Sequence, residues 1–262
     1  MPDRGTAANV AVNDRGPAAY VAEFIGTLLF VFFVTVAVSI FATQPTPQNP
    51  APFVDFSVIG LVHVFILFVL IQALALTSGA HFNPAVTVAL TALRQIKPPD
   101  AAIYIVAQLA GAVAGALLTK ALLNDFANAD AVNFGATLVS ETTLEGKVGL
   151  AMLAEFLGTF LLLWAIVGVA VNPQAAKDWA ALTIGGALGV GVMVIGPLTG
   201  AGFNPARSFG PALVSGEFGG AGDFLLVYVL APLLGALAAA VVHYNVMWTR
   251  GAKGPSPMEP VG

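Results

Sequence analysis

The chain has 262 residues, 58% hydrophobic and only 9% charged, with a formal net charge of −4 and a mean hydropathy of +0.87. A soluble domain carries about 25% charged residues, so there is too little polar surface here to coat a globule in water, and the weak net charge argues for no nucleic acid and no other charged partner. Cysteine is absent, which excludes disulfides, thiol catalysis and cysteine metal sites. The three histidines are scattered and form neither a metal cluster nor part of a nucleophile–base pair, so no metal, no cofactor and no enzymatic activity are expected.

Residues 1–19 contain Asp3, Arg4, Asp14 and Arg15 but no apolar core. They read as a flexible N-terminal tail and not as a signal peptide. Long uncharged runs follow, such as Phe24 to Phe41 and Val58 to Leu76, each about the length a bilayer demands. Apolar segments of this kind fall at about 20–41, 56–76, 101–123, 148–171, 179–197 and 223–248, followed by a C-terminal tail at 249–262. Backbone in lipid must satisfy its own hydrogen bonds, and these runs lack the alternation of a β-barrel. The fold class is therefore an all-α, polytopic membrane protein lodged in a lipid bilayer. Two further apolar pieces, about 83–93 and 204–215, are half the length of a span.

The two halves of the chain repeat one plan, over about 20–123 and 148–248. Ala22-Glu23-Phe24-Ile25-Gly26-Thr27 opens the first span and Ala154-Glu155-Phe156-Leu157-Gly158-Thr159 the fourth. The stretch Ala107 to Ala112 of the third span is matched by Ala231 to Ala236 of the sixth. An odd number of spans per half makes the second half enter from the opposite side, an inverted repeat. With the termini inside, Arg4, Arg15, Arg94, Lys97, Lys177, Arg250 and Lys253 are cytoplasmic, against Lys120, Lys147 and Arg207 outside. This bias favours cytoplasmic termini, with the cation-free loop Gln44 to Pro50 facing outward. Gly111, Gly115, Gly235 and the glycines of span five (Gly185, Gly186, Gly189, Gly191) have the spacing of closely approaching helices.

The short pieces begin with the same triplet, Asn83-Pro84-Ala85 and Asn204-Pro205-Ala206. Asn is a good N-cap and Pro is favoured at the first helical position, so each triplet starts a half-helix. Inverted symmetry sends one from each face, and their N-termini meet near the bilayer centre. Each terminus carries about +0.5 elementary charge, which opposes a cation or an excess proton. With each Asn oxygen capping its own helix, the amide hydrogens are left to donate to a neutral acceptor such as a water oxygen. The pattern is that of a site passing an uncharged polar solute and rejecting ions.

At SGAHFNPAVT (78–87), GAGFNPARSFGPA (200–212) and the paired AEF-Ile/Leu-GT segments, the sequence resembles the aquaporin (major intrinsic protein) family over about residues 18–248. The resemblance implies six spans with two re-entrant half-helices, one pore per subunit, a homotetramer, and a channel domain over 20–248. It implies a selectivity filter of His63, Val192, Ala201 and Arg207, with His63 lying 20 residues before Asn83 and Val192 lying 12 before Asn204. It also assigns pore-lining carbonyls to Gly79, Ala80, His81, Gly200, Ala201 and Gly202, and a loop-supporting role to Glu23 and Glu155, with His81 available to pair with one glutamate. His63 with an aliphatic partner and Ala201 is similar to plant tonoplast-type aquaporins, wider or less polar than a strict water pore. Ammonia, urea or hydrogen peroxide would then accompany water.

The glycerol branch of the family usually has Asp directly after the filter Arg and a basic residue four further on. Here Ser208 and Ala212 match the water branch, while Val229 departs from its usual Trp. An ion-coupled carrier is a second rival, because broken helices in inverted repeats also build carriers. It would use Glu23 and Glu155, the acidic residues deep within spans, for proton coupling. The expected location is the cell membrane.

Overall fold

The computed structural model describes residues 15–42 and 55–248. The loop at 44–50, the cations Arg4, Arg250 and Lys253, and most of both tails lie outside the described residues. Among the described residues, six helices are long and apolar enough to cross a membrane. In chain order, α1 is Pro17–Phe41, α2 Phe56–Ser78, α3 Pro84–Ala92 and α4 Pro98–Leu122. Between the halves lie α5 (Ala127–Ala131), a tight turn at Asn133–Gly135 and α6 (Glu141–Leu144). The second half has α7 (Val148–Ile166, prolonged through Val167–Val171), α8 (Ala180–Thr199) and α9 (Pro205–Ser215). It ends with a last span in which α10 (Ala221–Phe224) continues through Leu225–Leu230 into α11 (Ala231–Val242) and on to Trp248.

Proline fixes several starts. Pro17, Pro84, Pro98 and Pro205 stand in the first turns of α1, α3, α4 and α9, where a missing N–H costs nothing. This explains why α1 and α4 begin three residues earlier than hydropathy suggests: polar or proline-bearing first turns reach toward water yet remain helical. Glycine fixes the stops before both loops. Gly79 (φ 89°) and Gly200 (φ 77°) take the left-handed conformation, and their N–H groups bond Ala75 and Gly196 carbonyls, each at 2.9 Å.

The main packed pairs are α1 with α4, α2 with α8, and α7 with α11. Their backbones approach where a Cβ would collide: Gly111 and Gly115 face the carbonyls of Phe24 and Leu28, Gly235 that of Phe156, and Gly185 and Gly189 those of Val64 and Gly60. Gly191 instead makes room for the Phe203 ring, and Gly186 faces open space. Dispersion needs such contact, since lipid gives helices no hydrophobic reason to associate. The half-helices cross over between repeats, α3 packing on α11 and α9 on α4.

Candidate functional site

The two loops that lead into α3 and α9 have the same backbone path. After the glycine stop come Ala80 (φ 53°) and Phe82 (φ 47°) in one, Ala201 (φ 50°) and Phe203 (φ 51°) in the other. Left-handed non-glycine residues cost about 1–3 kcal/mol each and persist only where their surroundings hold them. A buried carboxylate does so in each repeat. Glu23 accepts from Ser78 Oγ (2.6 Å), the His81 and Phe82 N–H groups (2.9 and 2.7 Å) and Gln108 Nε2 (2.8 Å). Glu155 accepts from Thr199 Oγ1 (2.6 Å) and the Gly202 and Phe203 N–H groups (2.8 and 2.7 Å). The phenylalanine rings lie on Gly26 and Gly158, where any Cβ would overlap them.

With the N–H groups turned toward the glutamates, the carbonyls sort into two sets. Those at the loop ends are tied: Ser78 O accepts from Tyr104 Oη (2.7 Å) and Thr199 O from Tyr228 Oη (2.8 Å). The carbonyls of 79–81 and 200–202 accept no hydrogen bond among the described residues. His81 meets Glu23 through its backbone N–H. Its ring Nδ1 lies 3.1 Å from Thr87 Oγ1, so the expected side-chain pairing with a glutamate is replaced by a contact to α3.

Asn83 and Asn204 cap α3 and α9, Oδ1 accepting from Ala85 N–H in one and from the Ala206 and Arg207 N–H groups in the other. Their amides are not wholly free, as the sequence had suggested. Asn83 Nδ2 donates to Phe203 O at 2.9 Å and Asn204 Nδ2 to Phe82 O at 2.8 Å, each reaching into the other repeat. One N–H per amide is thereby spent on the latch and one remains, because each amide has two. Pro84, Ala85, Pro205 and Ala206 are buried behind this junction.

A cavity of about 620 Å³ opens beside the tips, on the side that carries Arg15, Gln95 and Lys177. Its lining includes Asn83, Asn204, Gly79, Ala80, His81 and Gly202, together with Leu67, Leu188 and His63. Beyond the tips, His63, Val192, Ala201 and Arg207 are all nearly sealed from bulk solvent, at 1–2% exposure. His63 Nδ1 lies 2.8 Å from Ile59 O. Because a carbonyl only accepts, Nδ1 carries the hydrogen, so in the neutral ring Nε2 bears the lone pair, and no hydrogen bond to Nε2 is found among the described residues. Arg207 Nη1 donates to Gly135 O at 3.0 Å, while its buried Nε–H meets no acceptor among the described residues. His63 lies within electrostatic reach of the Arg207 charge. His63 thus offers an acceptor and Arg207 a donor, while Val192 and Ala201 are buried apolar residues.

Sequence reasoning passed over four participants: Gln108, Tyr104, Tyr228 and Gly135. The tyrosines were findable, since each stands four residues before the matched pair Gln108 and Pro232. Gly135 gave no signal, for its role depends on the path of the segment joining the repeats.

Comparison with known proteins agrees with this architecture. The sequence profile of the family described as "Major intrinsic protein" matches residues 14–243. "Glycerol uptake facilitator protein-like 6" of Lactiplantibacillus plantarum is 39% identical over 223 residues, 84% of this chain and 94% of that protein. "Aquaporin AqpM" of Methanothermobacter thermautotrophicus is 35% identical over 238 residues, 85% of this chain and 94% of that protein. The X-ray structure of the aquaglyceroporin from Plasmodium falciparum superposes with a TM-score of 0.73 at 24% identity, covering 89% of this chain and 97% of that one, which bears on the fold. The chain belongs to the major intrinsic protein family, whose members are passive multi-pass membrane channels and not enzymes.

Proposed function

We propose that the protein conducts water, together with small neutral solutes such as ammonia, urea or hydrogen peroxide, and excludes protons and ions. The observation that carries this reading is the junction. Two opposed helix N-termini present one amide N–H each beside the cavity, and the Asn oxygens are committed to their caps. A water there accepts through its oxygen and turns its hydrogens away along the pore, breaking the run of like-oriented waters that proton hopping requires. The free loop carbonyls at 79–81 and 200–202 receive those hydrogens. In the filter, the lone pair of His63 Nε2 and the free Arg207 Nε–H suit a molecule that both donates and accepts, and the fixed guanidinium charge opposes cations.

Glycerol conduction is the competing reading, favoured by the name of the 39%-identical relative from Lactiplantibacillus plantarum. Ser208 and Ala212 speak for water. Glu23 and Glu155, saturated by loop donors, serve as supports and not as a proton relay. We further propose a homotetramer in the cell membrane with both termini cytoplasmic, in keeping with Arg94, Lys97 and Lys177 on that face.

Stopped-flow light scattering of proteoliposomes given osmotic steps of water, glycerol, urea and ammonia tests the reading. Water should pass fastest, and Arg207→Val should raise glycerol and urea passage and proton leak. If glycerol outruns water in the wild type, the solute assignment fails. If Arg207→Val leaves glycerol, urea and proton leak unchanged, the filter assignment fails.

A further inference from the structure

Lys120, in the last turn of α4, has no place in the site described above, yet it touches both structures that fix Arg207. Its Nζ donates to Val214 O at 3.2 Å and lies 5.4 Å from the centroid of the Phe134 ring. Val214 belongs to the final turn of α9, where carbonyls lack helical partners and the dipole end is negative. Arg207 stands in the first turn of the same helix. Phe134 precedes Gly135, whose carbonyl receives Arg207 Nη1.

The turn that presents that carbonyl is one that must be held. Asn133, Phe134 and Gly135 follow one another at φ 51°, 50° and 79°, a left-handed run that side-chain-bearing residues rarely adopt. On one side it rests on α1, since a Cβ on Gly135 would stand 3.0 Å from Thr35 Cα. On another side the Lys120 ammonium lies against the Phe134 ring, within the ~6 Å range of a cation–π contact. A single cationic head therefore bridges the helix that carries Arg207 and the turn that accepts from it. A neutral side chain of the same length fills the space but can neither donate to Val214 O nor bind the ring through charge.

We propose that Lys120 is a positioning residue for solute selection, holding the Phe134–Gly135 turn and the end of α9 in the register that fixes the Arg207 guanidinium. The proposal rests on the assignment of Arg207 to the filter. It is tested with the full chain in proteoliposomes, using glycerol:water and urea:water permeability ratios as the readout. Lys120→Met should raise both ratios several-fold, toward those of Arg207→Val, and Lys120→Arg should restore them. In the Arg207→Val background Lys120→Met should add nothing, because the group it positions is gone. Phe134→Leu, which keeps the Val214 bond and removes the ring face, should shift the ratios the same way by less, and it decides the matter if Lys120→Met does not fold. Unchanged ratios in Lys120→Met and Phe134→Leu, with Arg207→Val active, overturn the Lys120 role alone. A uniform fall of all fluxes in both backgrounds also overturns it, marking Lys120 as a general support. A silent Arg207→Val removes the filter assignment, and this proposal with it.

Discussion

Glu155→Gln separates a carboxylate that holds a loop from one that relays protons, since it keeps the shape and removes both the charge and one acceptor. The best placement of the new amide keeps its oxygen on Thr199 Oγ1 and Gly202 N–H and turns its NH₂ toward Phe203 N–H. That orphans one buried donor, at about 1–3 kcal/mol. It also converts two charge-assisted bonds into neutral ones, at about 1 kcal/mol each. The opposite placement also orphans one N–H, that of Gly202, since the Thr199 hydroxyl can accept from the amide. The loss of about 3–5 kcal/mol falls on a loop with strained Ala201 and Phe203. At about 2–4 °C per kcal/mol for a chain approaching this size, thermal unfolding in detergent should shift down by on the order of 10 °C. Water flux and neutral-solute flux should fall together, with no new dependence on a proton gradient. Glu23→Gln should cost at least as much, because Glu23 holds one donor more and turning the Gln108 amide to offer its Oε1 to the new NH₂ gives up the bond from Nε2 to Thr87 Oγ1. A Glu155→Gln protein with wild-type stability and water flux but altered proton flux refutes the supporting role.

His63→Phe removes a side-chain acceptor from the proposed filter and adds bulk against Phe30, whose ring centroid lies 5.9 Å from that of His63. It should reduce urea and ammonia flux more than water flux in the same stopped-flow assay, and an equal loss of all three would mark simple destabilisation. Gly158→Ala forces the Phe203 ring from its seat. Overpacking costs about 1–3 kcal/mol, and the helix-propensity gain of about 1 kcal/mol does not cancel it, so thermal stability should drop. Gly186→Ala, whose Cβ meets nothing within 4 Å, should be neutral or stabilising, and equal melting of the two variants would show that the ring does not need the glycine.

The spans, the inverted repeat and the two half-helix starts were legible because each rests on local chemistry. A run of apolar residues must cross lipid, and an Asn-Pro pair caps and starts a helix wherever it falls. The α1 and α4 starts were missed by three residues because hydropathy does not register Pro17 or Pro98 as helical. The fate of the Asn amides was not legible. Oδ1 as a cap is a matter of neighbours two residues away, whereas Nδ2 bonds a carbonyl about 120 residues distant, and only the fold brings Asn83 to Phe203. The same distance hid Gly135 from Arg207. The symmetry of the sequence was also too persuasive at one point. It placed Gln108 opposite Pro232, but not the consequence that Glu23 has a side-chain partner from α4 that Glu155 lacks from α11.

The crossed bonds from Asn83 to Phe203 O and from Asn204 to Phe82 O make the two halves mutually dependent. Each loop's last carbonyl is met by a donor that the other half supplies. A single repeat on its own could form this junction only with a second copy entering in the opposite sense, whereas in the two-repeat chain the matched positions are free to differ, as Arg207 does from its counterpart Val86.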